Sequence, residues 1–339
     1  MKGLLRELCL INGTSGDESR VRNAIIEKVK DLCDYRIDNL GNLICFCKGK
    51  KSADKKLMIA AHMDEVGFIV TYINEDGTLC FNEVGGVDTS VVIGRQVTVG
   101  SDAISGVIGA TAIHNLSKEQ RESTPKYSDM YIDIGAESRE DAEKIVSLGD
   151  SVHFDSEFTQ LGKKYIKAKA IDDRAGCAAM IKLMREGVEY DTYFVFNVQE
   201  EVGLRGSMAS AFSVAPDFAI VLEATTASDI DGVGGAKRVC SLGNGPVVGF
   251  MDRSTLYDKE LYRMAFDIAD ELEILCQTKT MIAGGNDSGA IHISRGGVRT
   301  IAVSVPCRYI HSPSCVINAE DLENTLILTR ELAKRIHEL

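Results

Sequence analysis

The chain has 339 residues, enough for one large core and a smaller second domain. Hydrophobic residues make up 45% and charged residues 26%, the balance of an ordinary globular protein, and no apolar run nears the roughly 20 residues of a membrane span. With 50 acidic against 38 basic side chains the net charge is -12, which repels phosphate backbones and argues against nucleic acid as a partner.

Residues 1–13 interleave Arg6 and Glu7 with apolar positions, so they predict an amphipathic helix rather than a secretory leader. Helical spacing recurs over 17–32, with Val21, Ile25, Val29 and Leu32 on one stripe. Short strands are predicted at 35–39 and 42–47 around Gly41, then a fully apolar one at 57–61. From about 71 to 163 the texture changes to brief β-type runs at 71–73, 91–92, 96–99, 106–108, 130–134 and 151–154. Turn pairs such as Asp76-Gly77 separate them, which suggests a small β-barrel or sandwich. Residues 117–127, rich in Lys, Glu and Ser, read as a surface loop.

Alternating helices and strands then return. Helices are expected at 174–186, 206–212, 256–270 and 319–338, with Ser254 a candidate N-cap for the third. Strands are expected at 192–198, 218–222 and 299–305. The pattern predicts an α/β fold with a mostly parallel central sheet covered by helices. A β-rich insertion at 71–163 interrupts the α/β domain of 1–70 and 164–339. The ten cysteines form no C-x-x-C pair, and with no leader they read as reduced thiols of a cytoplasmic protein.

Five segments place ionisable side chains at the ends of apolar runs. They are AHMDEVGF (His62, Asp64), KAIDDRAG (Asp172, Asp173), QEEVGLRG (Glu200, Glu201), VLEATT (Glu223) and RYIHSP (His311). Charges there are costly unless paired or bound to metal. Ligands of open α/β sheets gather at the carboxyl ends of the strands, so these distant segments are expected to converge. Two divalent ions roughly 3.5–4 Å apart would activate a water and polarise a carbonyl. Asp172, Glu201 and Glu223 together with one hydroxide would balance two dications. Imidazole and carboxylate ligands suit zinc or cobalt, with manganese also open. Glu200 and Glu201 point apart in an extended chain, so one can bind metal while the other faces water as general base. Asp64 is placed to orient the His62 ring through its second nitrogen.

Together with DIGA at 133–136 and GGNDSGA at 284–290, these motifs resemble those of the tetrahedral (TET) aminopeptidases. That family of dinuclear metallopeptidases includes glutamyl and deblocking aminopeptidases, and some of its members are labelled endoglucanase. The resemblance spans essentially the whole chain. It implies that His62 and Glu223 hold one metal, that Glu201 and His311 hold the other, and that Asp172 bridges them. It assigns general acid/base work to Glu200 and implies a cis peptide before Asp173. It further implies that the insertion dimerises the chain and that dimers build a twelve-subunit tetrahedral particle. Glu223 departs from the family's frequent Asp, and Asn286 from its common Thr.

The expected reaction is removal of N-terminal residues from short peptides, with Glu200 activating a metal-bridged water. A two-metal deacylase or amidase acting on a small N-acylated molecule is the alternative. A glycosidase would need a spaced carboxylate pair without metal. Arg253, Arg295 and Arg308 are candidate readers of an acidic side chain, and Arg308 is equally a candidate ion-pair partner. Asp287 has no assigned role. His114, His153, His292 and His337 read as structural or surface residues.

Overall fold

Apolar runs build the centre of the main sheet. Leu57–His62 is buried at every position, and Thr192–Asn197, Phe218–Thr226 and Arg299–Arg308 nearly so. These four strands lie side by side and parallel, in the order Thr192–Asn197, Leu57–His62, Phe218–Thr226, Arg299–Arg308. Antiparallel strands extend the sheet on both flanks. Leu43–Cys47 and Asp34–Ile37 lie on one side, and Cys315–Asn318, Tyr165–Ala168 and Thr159–Leu161 on the other. The computed structural model describes the backbone of residues 1–339 and every side chain except that of Gln120.

Both faces of the sheet are covered, and the alternation of the strands shows it. Leu57, Ile59 and Ala61 pack into one apolar layer with residues of the helices Lys2–Cys9, Ser19–Val29, Ile171–Glu186, Lys259–Glu271 and Ala319–Arg335. Met58 and Ala60 point the other way, against Ala211, Val214 and Ile291 of Arg205–Val214 and Ser288–Ile291. Because side chains alternate with period two, one strand serves two helical layers.

In chain order between Leu57–His62 and Thr159–Leu161, six antiparallel strands close a barrel. In order around it they are Gly67–Ile73, Leu79–Val84, Met130–Asp133, Ile104–Ala110, Gln96–Val99 and Ser151–Phe154. Its interior is apolar, with Phe68 meeting Phe81 and Phe154 edge-on.

Several expectations shift. Residues 91–92 are not a strand, because the Asp88 carboxylate caps a 3-10 turn at Thr89–Val91. Ser254 does not start the following helix. Asp258 does, accepting from the N–H groups of Glu260 and Leu261. The segment 117–127 contains a short helix, Lys118–Glu122. The strand expected to end at 222 runs on to Thr226, because Ala224–Thr226 keep pairing with Val305–Cys307. Glu223 therefore sits within a strand.

Candidate metal centre

Parallel strands share one carboxyl edge, and that edge gathers the ionisable residues. His62 closes its strand and is in register with Asn197 of the neighbour, while Glu223 lies one strand further on. Asp172 and Asp173 open the helix Ile171–Glu186 with non-helical dihedral angles and a cis peptide between them. Glu200 and Glu201 occupy the turn after Thr192–Asn197, and His311 the turn after Arg299–Arg308. Gln199, Tyr309 and His311 hold left-handed backbone at φ 54°, 58° and 58°. Such strain in non-glycine residues concentrates where side chains must be aimed.

The two oxygens of Asp172 face different imidazoles. Oδ1 lies 3.4 Å from His62 Nε2, and Oδ2 lies 3.3 Å from His311 Nε2. His62 Nε2 is also 3.7 Å from Glu223 Oε2, and His311 Nε2 is 3.2 Å from Glu201 Oε2. Donors bonded at 2.0–2.2 Å to a tetrahedral ion stand about 3.4 Å apart, so these separations suit ions set between the side chains. Two buried oxygens, Asp172 Oδ1 and Glu223 Oε1, have no hydrogen-bond partner among the described residues. Two groups of three have donor atoms within 4.8 Å of one another: His62 with Asp172 and Glu201, and His62 with Asp173 and Glu223. The residues therefore fit divalent metal.

Ring orientation supports the same reading. His62 Nδ1 is 3.0 Å from the main-chain oxygen of Asp64, and His311 Nδ1 is 2.9 Å from that of Gly86. A carbonyl can only accept, so each Nδ1 donates, which leaves Nε2 facing the cluster as the nitrogen that can bind an ion. The Asp64 carboxylate stands slightly further from the ring, at 3.4 Å. It accepts from Ser15 Oγ and from the main-chain N–H groups of Glu200 and Glu201, and so holds the turn that carries both glutamates. The Gly86 contact comes from a turn next to the barrel. A Cβ on Gly85, at φ 82°, would stand 3.2 Å from the Glu201 Cβ.

Electrostatics sharpen the picture. Burial pushes the carboxyls of Glu200 and Glu223 well above the ordinary range, and that of Glu201 up to about 8, with neighbouring carboxylates adding to the rise. Burial acts the same way on Asp172, but the His311 and His62 rings beside it outweigh burial and hold the group low. Burial works against a charged His311, yet Asp172 and Glu201 lift its pKa to about 10. Negative charge held together in low dielectric is a site that asks for cations. Above it opens a cleft of about 650 Å³, lined among others by Glu200, Arg253, Tyr257, Lys279, Asn286 and Ile310.

The sequence profile of the M42 glutamyl aminopeptidase family matches residues 41–328. The chain belongs to that family. It is 33% identical to the lysyl aminopeptidase of Pyrococcus furiosus, over 98% of this chain and 96% of that protein. Among solved structures, the TET aminopeptidase of a Thaumarchaeota archaeon superposes with a TM-score of 0.94. The identity is 33%, over 98% of this chain and 96% of that one. The TET1 peptidase of Pyrococcus horikoshii, which can assemble into a tetrahedron or a large octahedral shell, superposes at 0.86. Its identity is 35%, over 98% of both chains. This M42 chain is thus a peptide hydrolase with an α/β fold and an inserted barrel.

Other singled-out residues of the M42 chain find different work. Arg308 pairs with Asp229 through two hydrogen bonds of 2.6 and 2.7 Å. Arg295 lies over the Phe212 ring and donates to its carbonyl. Arg253 does line the cleft. Asp287 is fully buried and accepts from Asn197 Nδ2 at 2.7 Å. Asn286 donates to the Tyr257 hydroxyl and accepts from the Ser288 N–H, bracing the cleft wall. His153 is buried beside Thr14 Oγ1, His292 meets the Ser288 carbonyl, and His337 packs on Tyr190. Sequence reasoning missed the Gly86 carbonyl and the cleft residues Tyr257 and Lys279, none of which belongs to a motif.

Proposed function

We propose that the chain is a dinuclear metallo-aminopeptidase that removes N-terminal residues from short peptides. His62 and Glu223 would hold one ion and Glu201 and His311 the other, with Asp172 between them. The observation that carries this reading is the split carboxylate of Asp172, one oxygen toward each imidazole at 3.4 and 3.3 Å. Two divalent ions, zinc or cobalt on this donor set, would polarise the scissile carbonyl and acidify a water. Glu200 reaches the cluster without belonging to either group of three, its Oε2 standing 4.0 Å from His62 Nε2. Burial raises its proton affinity, so it suits taking a proton from water and passing it to the leaving amine. Asp64 fixes where Glu200 stands through that residue's main-chain N–H.

The inserted barrel is proposed as the dimerisation element, with dimers building a tetrahedral dodecamer; the relative described above can assemble into a tetrahedron. A cytoplasmic setting accords with ten cysteines that are all free. The test is turnover of aminoacyl-p-nitroanilides by chelator-stripped protein after Zn²⁺, Co²⁺ or Mn²⁺ is added back, beside their N-acetylated counterparts. Metal-restored release from the free amines is expected. Nitroaniline release from the acetylated set alone would make the protein an amidase of N-acylated substrates, and acetate release in its place would make it a deacylase.

A further inference from the structure

Behind the carboxylate cluster lies a second group of charges that the chemistry above does not use. Glu65, Lys169 and Arg174 are all buried, Arg174 completely. Lys169 Nζ donates to both Glu65 oxygens, at 2.6 and 2.9 Å. Arg174 Nη2 stands 3.6 Å from Glu65 Oε1, which also accepts from the Gly13 N–H at 3.1 Å. The Arg174 guanidinium reaches three carbonyls as well: Met63 at 2.7 Å, Leu8 at 2.7 Å and Ile11 at 3.1 Å.

The placement of these groups is what matters. Met63 directly follows His62, and Glu65 follows Asp64. Lys169 precedes Asp172 by three residues, and Arg174 follows Asp173. The network therefore ties the segment bearing His62 to both sides of the segment bearing Asp172, and both to the N-terminal stretch. A buried ion pair is poor value as mere stabilisation, since well-packed apolar side chains do as well or better. Its directional bonds instead fix geometry, and a metal site tolerates only about half an ångström of error.

We propose that Glu65, Lys169 and Arg174 are positioning residues that set the spacing between His62 and Asp172, and through it the affinity of the site for its ions. This rests on the metal-centre reading above. The test follows Co²⁺ binding by its visible absorption, beside kcat and KM, in the parent, Glu65→Gln, Lys169→Met and the double variant. The double variant leaves no member of that pair charged and guards against a single variant that fails to fold. Co²⁺ affinity is expected to fall about 10–100-fold, the usual cost of losing partners behind a ligand. kcat should fall while KM stays within about threefold. Affinity and kcat within about twofold of the parent in the double variant, even with a lower melting temperature, would reduce the network to a fold support and overturn the proposal. A parent that binds no Co²⁺ would overturn the metal reading itself, and this proposal with it.

Discussion

The barrel and the carboxyl edge of the main sheet are built on opposite terms. The barrel interior is a continuous apolar cluster in which Phe68 meets Phe81 and Phe154 at centroid distances of 5.1 and 5.2 Å. The sheet edge buries Asp172 and Glu223 and half-buries Glu201 around two histidines, with oxygens of Asp172 and Glu223 lacking a hydrogen-bond partner among the described residues. One region gains stability from what it buries, and the other gives stability up for chemistry. Substitutions in the two regions should therefore move stability and turnover in different directions.

The largest effect is expected at Glu200. Glu200→Gln keeps the shape and removes the base, so kcat should fall by about 10²–10⁴ or more with metal retained. The amide carries no charge to desolvate, so the metal-free variant should melt at the same temperature as the parent or higher. Undiminished turnover would sink the assignment. Phe68→Ala should do the reverse. Emptying a buried ring site costs about 3–5 kcal/mol of stability, read by denaturant unfolding, while kcat of the folded fraction stays within a few-fold. A barrel variant that folds well yet loses turnover would tie the barrel to catalysis more tightly than the Gly86 contact suggests.

The same contrast explains what could be read in the chain. Each ionisable residue at the sheet edge borders an apolar run, and that local signal survives in one dimension. The structure brings His62, Asp172, Glu200, Glu201, Glu223 and His311 together because parallel pairing places those run ends side by side. Barrel strands carry weaker signals. Leu79–Val84 reads LCFNEV, with one short stretch of alternation, and escaped notice. Val91 and Val92 looked like a strand until Asp88 capped a turn across them, a competition that a β-propensity count does not register. The orientation of His311 by Gly86 was unreadable for a different reason. It is a main-chain contact between segments 225 residues apart, and main-chain atoms leave no mark in the sequence.

A smaller test lies in Asp321, a buried carboxylate outside both regions. At the start of the helix Ala319–Arg335 it accepts from the N–H groups of Gly243 and Gly245, at 2.7 and 2.8 Å, and so pins a loop to the helix. Burial outweighs those bonds and raises its pKa from the ordinary 3.8 to about 6. A group that holds its proton more tightly when folded favours the folded state at low pH. Its contribution should fall as pH rises from about 4 to about 6 and stay level above that. Asp321→Asn keeps an acceptor for one glycine and removes the titration. The variant should lose this slope, a change of about 2 kcal/mol in urea unfolding between pH 4 and 7. If parent and variant keep the same slope, the loop bonds rather than burial govern the proton on Asp321, and a buried carboxylate with two N–H donors costs this fold little. The carboxylates of the sheet edge, which have fewer such donors, would then owe their perturbation to one another more than to burial.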